Sequence, residues 1–213
     1  MRKSFSVLGW YKRLFISERT ALINAAASLL TLPAAYYFGL RSGAMDWAGR
    51  FDLVLRFALV ITLFYALRKH KLLLLQAATV GLLFSLLSRQ AQYTLSDLGS
   101  RSSVEYITMG LQGFIFLARE LMILFMQGFI CVNHFIIYAA RRQEAVRVTL
   151  NQSAIVILLA FLILQLFTAS ALTFDRSYIL YIWVLHVNEF FIFTLVACAE
   201  LILMIDQREF VEG

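Results

Sequence analysis

The chain has 213 residues, of which 61% are hydrophobic and 15% charged, and its mean hydropathy is +0.77. An ordinary soluble domain is about 45–50% apolar and about 25% charged. This composition therefore excludes an ordinary soluble domain and indicates a single membrane domain. Lysine and arginine exceed aspartate and glutamate by 19 to 13, a net charge of +6. Because the basic residues lie at the ends of apolar stretches, we interpret them as a topology signal and exclude nucleic acid as a partner.

The N-terminal segment, residues 1–20, mixes charged and aromatic residues and therefore does not have the pattern of a signal peptide. On a helix, Lys12 and Arg13 lie away from a face that collects Val7, Trp10, Tyr11, Leu14 and Phe15. This pattern predicts an amphipathic helix in the membrane interface. A solvated basic leader is the alternative.

Six stretches approach the length of about 20 apolar residues that a spanning helix needs. The predicted spans are Ala21–Leu40, Phe51–Leu67, Leu72–Ser88, Ala118–Ala140, Ser153–Leu172 and Tyr178–Ile205. The second and third are short, and a tight hairpin closed at Arg68–Lys71 would join them. We therefore predict an all-α, polytopic transmembrane bundle of about six spans followed by a short cytoplasmic tail, residues 206–213. Four or five helices are the competing interpretation.

The segment 103–117 is apolar but contains Glu105, Gly110, Gln112 and Gly113. Joined to the fourth span, it would make a helix of about 58 Å, whereas the hydrocarbon core is about 30 Å thick. We therefore predict a re-entrant or interfacial piece on the outer side, with a long fourth helix as the alternative.

Orientation follows from the basic residues in alternate loops, because positive charge is retained on the cytoplasmic side. Six spans place twelve basic residues on one side, namely Arg2, Lys3, Lys12, Arg13, Arg19, Arg68, Lys69, Lys71, Arg141, Arg142, Arg147 and Arg208. The other side receives five, namely Arg41, Arg50, Arg89, Arg101 and Arg176. This asymmetry predicts that both termini face the cytoplasm.

Polar residues recur on single faces of two predicted spans. Glu120, Gln127 and His134 are spaced every seven residues on the fourth span, and His186, Glu189 and Glu200 share a face of the sixth. Because polar groups inside a membrane are costly, we select a candidate intramembrane polar site of His186, Glu189, Glu200, Gln127 and His134. Helix packing is the commoner use of such groups, and a path for protons or cations is the alternative.

The remaining intramembrane charges are Arg56, Arg119 and Glu120, which lie at similar depth, and we predict an ion pair between Arg56 and Glu120. Counted from the outer ends of the predicted spans, His134 lies about 24 Å deep and His186 about 13 Å deep, which argues against a shared haem. Neither Cys131 nor Cys198 has a second ligand at metal-binding spacing. We predict no cofactor and no metal.

Motifs of hydrolases, metalloproteases, phosphate loops and dinucleotide sites are missing, so an intramembrane enzyme is only the third hypothesis. The first is a scaffold or anchor subunit of a larger assembly in a bacterial inner membrane, with protein partners or further copies of itself. A channel, transporter or membrane-disrupting effector is the second. Candidate contacts to an acidic partner or to anionic lipid headgroups are Lys12, Arg13, Arg68, Lys69, Lys71, Arg141, Arg142 and Arg147.

Overall fold

The computed structural model describes residues 18–100, 110–139, 144–172 and 176–212, and all regular secondary structure in these ranges is α-helical. The helices are α1 Glu18–Arg41, α2 Trp47–Arg68, α3 Leu72–Ser100, α4 Gly110–Ala139, α5 Glu144–Leu172 and α6 Arg176–Glu212. The prediction of an all-helical chain with six helices is confirmed for the described residues.

The helices form a closed ring. Each packs against its neighbours in the sequence, and α6 returns to pack along α1. A further contact between α3 and α6 crosses the ring and divides its interior into two halves. The first half is bounded by α1, α2, α3 and α6, and the second by α3, α4, α5 and α6. Each half encloses its own set of polar side chains.

The contact between α1 and α6 is the most extensive in the bundle. At spacings of three and four residues, α1 buries Ala21, Ala25, Ser28, Leu32 and Ala35. Farther along α1, a Cβ atom at Gly39 would lie only 2.9 Å from the ring of Tyr181 on α6. Small residues at these positions let the two backbones approach closely, as is common for helices that pack inside a membrane.

The outer surface of the bundle is apolar and its interior contains polar groups. On α4, Phe125 is 62% exposed whereas Gln127 is 1% exposed, and this alternation continues with exposed Phe135 beside buried His134. The stripe of Glu120, Gln127 and His134, spaced every seven residues on the fourth span, therefore faces the interior. An apolar exterior around a polar interior suits a bundle surrounded by lipid.

Five of the described helices contain a stretch that is long and apolar enough to cross a membrane. These stretches are Arg19–Arg41, Leu72–Ser96, Gly113–Ile136, Leu150–Phe167 and Arg176–Ile202. The exception is α2, although it has 22 residues. Any 18 consecutive residues of α2 include three charged ones, namely Asp52, Arg56 and either Arg50 or Arg68. Each of the five other stretches contains 18 consecutive residues with at most two charged residues.

Several helices extend beyond the predicted spans. The third reaches Ser100 instead of Ser88, because Gln90 and Thr94 find polar partners inside the bundle. Residues 110–117 are continuous with the fourth helix, so that part of segment 103–117 is helical, and 101–109 lie outside the described residues. The predicted tail is helical as far as Glu212. Residues 1–17 of the predicted interfacial segment 1–20 also lie outside the described residues, and 18–20 begin α1.

The hairpin between α2 and α3 is as tight as predicted. The backbone N–H of Lys71 donates to the carbonyl of Ala66 at 3.0 Å, and that of His70 donates to Leu67 at 3.4 Å. This is the Schellman arrangement, in which the residue after the helix takes a left-handed conformation. His70 has that conformation, with a φ angle of 49°. The turn exposes Arg68, Lys69 and Lys71 together at one end of the bundle.

Candidate functional site: three buried polar clusters

The first buried cluster, which we call the Arg56 cluster, consists of Asp52, Arg56, Ser85, His186 and Glu189. Arg56 on α2 is fully buried, and its Nη2 lies 2.7 Å from Oδ2 of Asp52, one turn earlier on the same helix. Its Nε donates to Oγ of Ser85 on α3 at 3.1 Å, and that hydroxyl donates to Oδ1 of Asp52 at 2.5 Å. One guanidinium therefore joins two helices through a closed set of polar contacts.

The Arg56 cluster continues onto α6. Nη1 of Arg56 lies 3.7 Å from Oε1 of Glu189, and Oε2 of Glu189 lies 2.8 Å from Nδ1 of His186. The side chains of His186 and Glu189 are almost fully buried, with 6% and 7% exposed. One helical turn separates them, so the helix itself fixes their contact. The cluster thus connects α2, α3 and α6 within the first half of the interior.

The second cluster, the Glu120 cluster, lies between α3, α4 and α5. Oε1 of Glu120 accepts from Arg119 at 2.6 Å and from Gln165 at 3.2 Å, and Oε2 accepts from Gln90 at 2.9 Å. The buried carboxylate is thereby opposed by a guanidinium and two amides. Charge-assisted bonds of this kind are stronger than neutral ones and fix the relative positions of the three helices.

The third cluster, the Glu200 cluster, joins α4, α5 and α6. Oε1 of Glu200 lies 2.7 Å from Nδ1 of His134 and accepts a hydrogen bond of 2.7 Å from Nδ2 of Asn151. Asn151 in turn accepts from Asn133 at 2.8 Å. All four side chains are buried. The cluster lies eleven residues beyond Glu189 on α6, or about 16 Å along the helix axis.

Gln127 lies on α4 between the Glu120 and Glu200 clusters. Its side chain is 1% exposed, and neither its amide oxygen nor its amide nitrogen has a hydrogen-bond partner among the described residues. The same holds for Nε2 of His134 and Oε2 of Glu200. Unpartnered polar atoms of this kind cost about 1–3 kcal/mol each in a dry interior. This buried face of α4 is therefore a place in the second half of the interior where water or another small polar molecule would be stabilised.

The structure divides the five residues of the predicted polar site between separate places. His186 and Glu189 belong to the Arg56 cluster, His134 and Glu200 belong to the Glu200 cluster, and Gln127 lies apart from both. His186, Glu189 and Glu200 share a face of α6, as inferred, but Glu200 lies about 16 Å along the helix from Glu189. The two histidines contact different carboxylates at different depths.

The predicted ion pair between Arg56 and Glu120 is wrong. Arg56 contacts Asp52 and Glu189, whereas Glu120 contacts Arg119, Gln90 and Gln165. The physical reason is the order of the helices: α3 packs against both α2 and α4 and lies between them. Similar depth in the membrane therefore did not bring the two side chains together.

Sequence reasoning missed several polar partners. The predicted second span began at Phe51, which put Asp52 at its end, yet α2 begins at Trp47 and places Asp52 in its second turn. The spacing of four between Asp52 and Arg56 is a signal for a helical ion pair that could have identified it. Ser85, Gln90, Asn151 and Gln165 were missed because uncharged polar residues are frequent in membrane helices and give no distinctive pattern.

No three histidine, cysteine, aspartate or glutamate side chains in the described part of the chain come together as a metal site. Of the candidate contact residues, Arg68, Lys69 and Lys71 are exposed in the turn between α2 and α3. Arg147 lies in the first turn of α5. The remaining candidates, Lys12, Arg13, Arg141 and Arg142, lie outside the described residues.

Comparisons with known proteins return no matching family model, no similar curated protein and no similar solved structure. The class of the protein therefore rests on its own features. Five helices long and apolar enough to cross a membrane, an apolar exterior and charged groups in the interior define a multi-pass integral membrane protein.

Proposed function

We propose that the chain is a six-span scaffold or anchor subunit of a larger assembly in a bacterial inner membrane, with both termini in the cytoplasm. The observation that carries this proposal is the shortness of the connections between the helices. The longest, between Ser100 and Gly110, has nine residues, so no soluble domain is inserted between spans. An activity would then arise within the membrane or come from a bound partner.

The interior charges support a structural role. Arg56 faces Asp52 and Glu189, Glu120 faces Arg119, and Glu200 faces His134. The contacts of Arg56 with Glu189 and of Glu200 with His134 join different helices. The contact of Arg119 with Glu120 lies within α4 and supports a carboxylate that accepts hydrogen bonds from α3 and α5. Polar contacts of this kind are the common means of fixing helix positions in a membrane, where the hydrophobic effect does not drive helices together.

The ion pair between Asp52 and Arg56 also supports the interpretation of α2 as a sixth span. Asp52 and Arg56 are the charges that make α2 less apolar than the other helices, and they face each other in the interior. Arg50 lies near the start of α2, with its guanidinium carbon 5.2 Å from the ring centroid of Trp47. The charges of α2 therefore do not need to face lipid when the helix crosses the bilayer.

Gly43 and His70 flank α2 and test this topology directly. In a background with Cys131 and Cys198 replaced by alanine, we expect Gly43→Cys to be modified by an impermeant thiol reagent added from outside. His70→Cys should be spared until the membrane is permeabilised, because Arg68, Lys69 and Lys71 hold that turn in the cytoplasm. Labelling of both positions from the same side would show that α2 does not cross.

The exposed turn at Lys69 is the surface that we propose for docking an acidic cytoplasmic partner, with anionic lipid headgroups as the other available counter-charge. We expect a photo-crosslinker at position 70, which is exposed between Lys69 and Lys71, to capture one soluble protein in cells. A variant carrying Lys69→Glu and Lys71→Glu should lose that adduct because its turn would repel the acidic surface. Arg41→Glu is the control, since Arg41 is exposed at the last residue of α1, at the end of the bundle opposite the turn between α2 and α3.

An adduct unaffected by charge reversal, or reduced equally by Arg41→Glu, would contradict this docking surface.

A second candidate function, a channel or transporter, is favoured by the unpartnered polar atoms of Gln127, His134 and Glu200. Purified protein in liposomes separates the two: ion flux that Glu200→Gln abolishes would support transport and count against a scaffold alone. The scaffold proposal expects no flux.

A further inference from the structure

The Arg56 cluster contains an unequal number of opposite fixed charges. Asp52 and Glu189 supply two carboxylates, Arg56 supplies one guanidinium, and Ser85 is neutral. With a neutral His186 and both carboxylates ionised, the cluster would carry one net negative charge in the membrane interior. Uncompensated charge is strongly disfavoured there. One added proton restores neutrality.

Within the described residues, the helices around the cluster do not provide the missing positive charge. Arg89 on α3 lies 3.5 Å from Asp46, and Arg119 lies 2.6 Å from Glu120, so each of these guanidiniums faces a carboxylate of its own. Arg50 stacks beside the exposed ring of Trp47 near the start of α2. The neighbouring titratable group Tyr181 is a neutral phenol in its ordinary state.

The other packed helices add no cation at this depth. α1 contains no charged residue between Arg19 and Arg41 and contributes Ser28 and Thr31, which accept from Asn188 on α6. On α5, no charged residue follows Arg147. Glu200, the next acidic group on α6, faces His134 in another cluster.

From this balance of charges we infer that His186 is an imidazolium, so that the Arg56 cluster is a site that binds one proton within the membrane. Nδ1 of His186 then donates its proton to Oε2 of Glu189 across 2.8 Å. The four charged groups are now two cations and two anions, arranged in the order Asp52, Arg56, Glu189 and His186. Each anion contacts at least one cation.

The bound proton also affects the contact between α2 and α6. Loss of the proton from His186 would leave Asp52 on α2 and Glu189 on α6 sharing a single guanidinium. The side chain of Asp52 is 15% exposed, more than those of the other charged members, and Asp52 lies in the second turn of α2. Proton exchange through this edge would reach the cluster from the side where α2 begins. This site is independent of whether the chain acts as a scaffold.

The experiment is nitrogen NMR on full-length protein labelled at histidine and placed in lipid nanodiscs. The chain has three histidines, His70, His134 and His186, so each resonance can be assigned by replacing one histidine with glutamine. At neutral pH we expect His186 to show the imidazolium signature. His70, exposed in the turn between α2 and α3, is the internal reference for a solvated histidine.

Two variants that remove one negative charge make the inference falsifiable. Glu189→Gln should convert His186 largely to the neutral ring, because Arg56 and Asp52 then balance each other. Asp52→Asn should also lower the imidazolium fraction, although Asp52 does not contact His186, so loss of a local hydrogen bond would not explain that result. Glu200→Gln is the control and should leave His186 unchanged. A neutral His186 in the unmodified protein, or an imidazolium that persists in both variants, would overturn the proposal.

Discussion

Replacing Arg56 with glutamine is expected to cost the fold about 3–5 kcal/mol, the usual effect of removing one partner from a buried ion pair. The cost arises because Asp52 and Glu189 would both lose the guanidinium that they face at 2.7 and 3.7 Å. Ser85 would also lose the donor that fixes its hydroxyl oxygen. Among the described residues, no other buried side chain of α2 makes polar contacts with two neighbouring helices.

Thermal and denaturant unfolding of purified protein in one fixed detergent would measure the loss for Arg56→Gln. Arg50→Gln is the matched control, because it removes the same charge from the same helix but affects only a partly exposed contact with Trp47. We expect the control to cost less than about 1 kcal/mol.

A triple variant distinguishes charge balance from simple loss of packing. Adding Asp52→Asn and Glu189→Gln to Arg56→Gln removes both orphaned carboxylates, so a substantial part of the stability should return. An apolar or neutral polar replacement of a whole buried ionic group is often tolerated, whereas removal of one partner is not. If Arg56→Gln were as stable as Arg50→Gln, the Arg56 cluster would not hold α2 in place.

Periodicity in the sequence was sufficient to identify which face of a helix is buried. The spacing of Glu120, Gln127 and His134 correctly placed all three inside, since residues seven apart lie on one helical face. The same reasoning could not identify their partners. The choice of partner depends on the order of the helices around the ring and on the contact between α3 and α6 that divides its interior, and neither has a local signature in the sequence.

Hydropathy was a poorer guide to where helices end. It ended the third span at Ser88, because Arg89, Gln90 and Thr94 are polar, yet α3 continues to Ser100. A polar residue terminates an apolar run, but it does not terminate a helix when a partner lies in the interior. Gln90 has such a partner in Glu120, 30 positions away. That information exists only in the folded bundle.

The last prediction concerns Glu200, whose carboxylate joins three helices. Glu200→Leu should lower the free energy of unfolding by about 3 kcal/mol, since His134 and Asn151 each lose an acceptor in a buried site. Both bonds are 2.7 Å long and end on the same oxygen, Oε1. Glu200→Gln retains an oxygen at that position, so it should cost less than about 1 kcal/mol.

Phe190→Leu is the control for Glu200→Leu, because Phe190 lies on the same helix and faces outward, with 40% of its surface exposed. The comparison with glutamine is the informative one. A structural carboxylate needs its acceptor oxygen, and glutamine preserves that oxygen while removing the charge. Equal loss of stability in Glu200→Leu and Glu200→Gln would instead show that the negative charge of the carboxylate is required. If leucine were tolerated as well as glutamine, α4, α5 and α6 would be held together by their apolar contacts, and the Glu200 cluster would have no structural role.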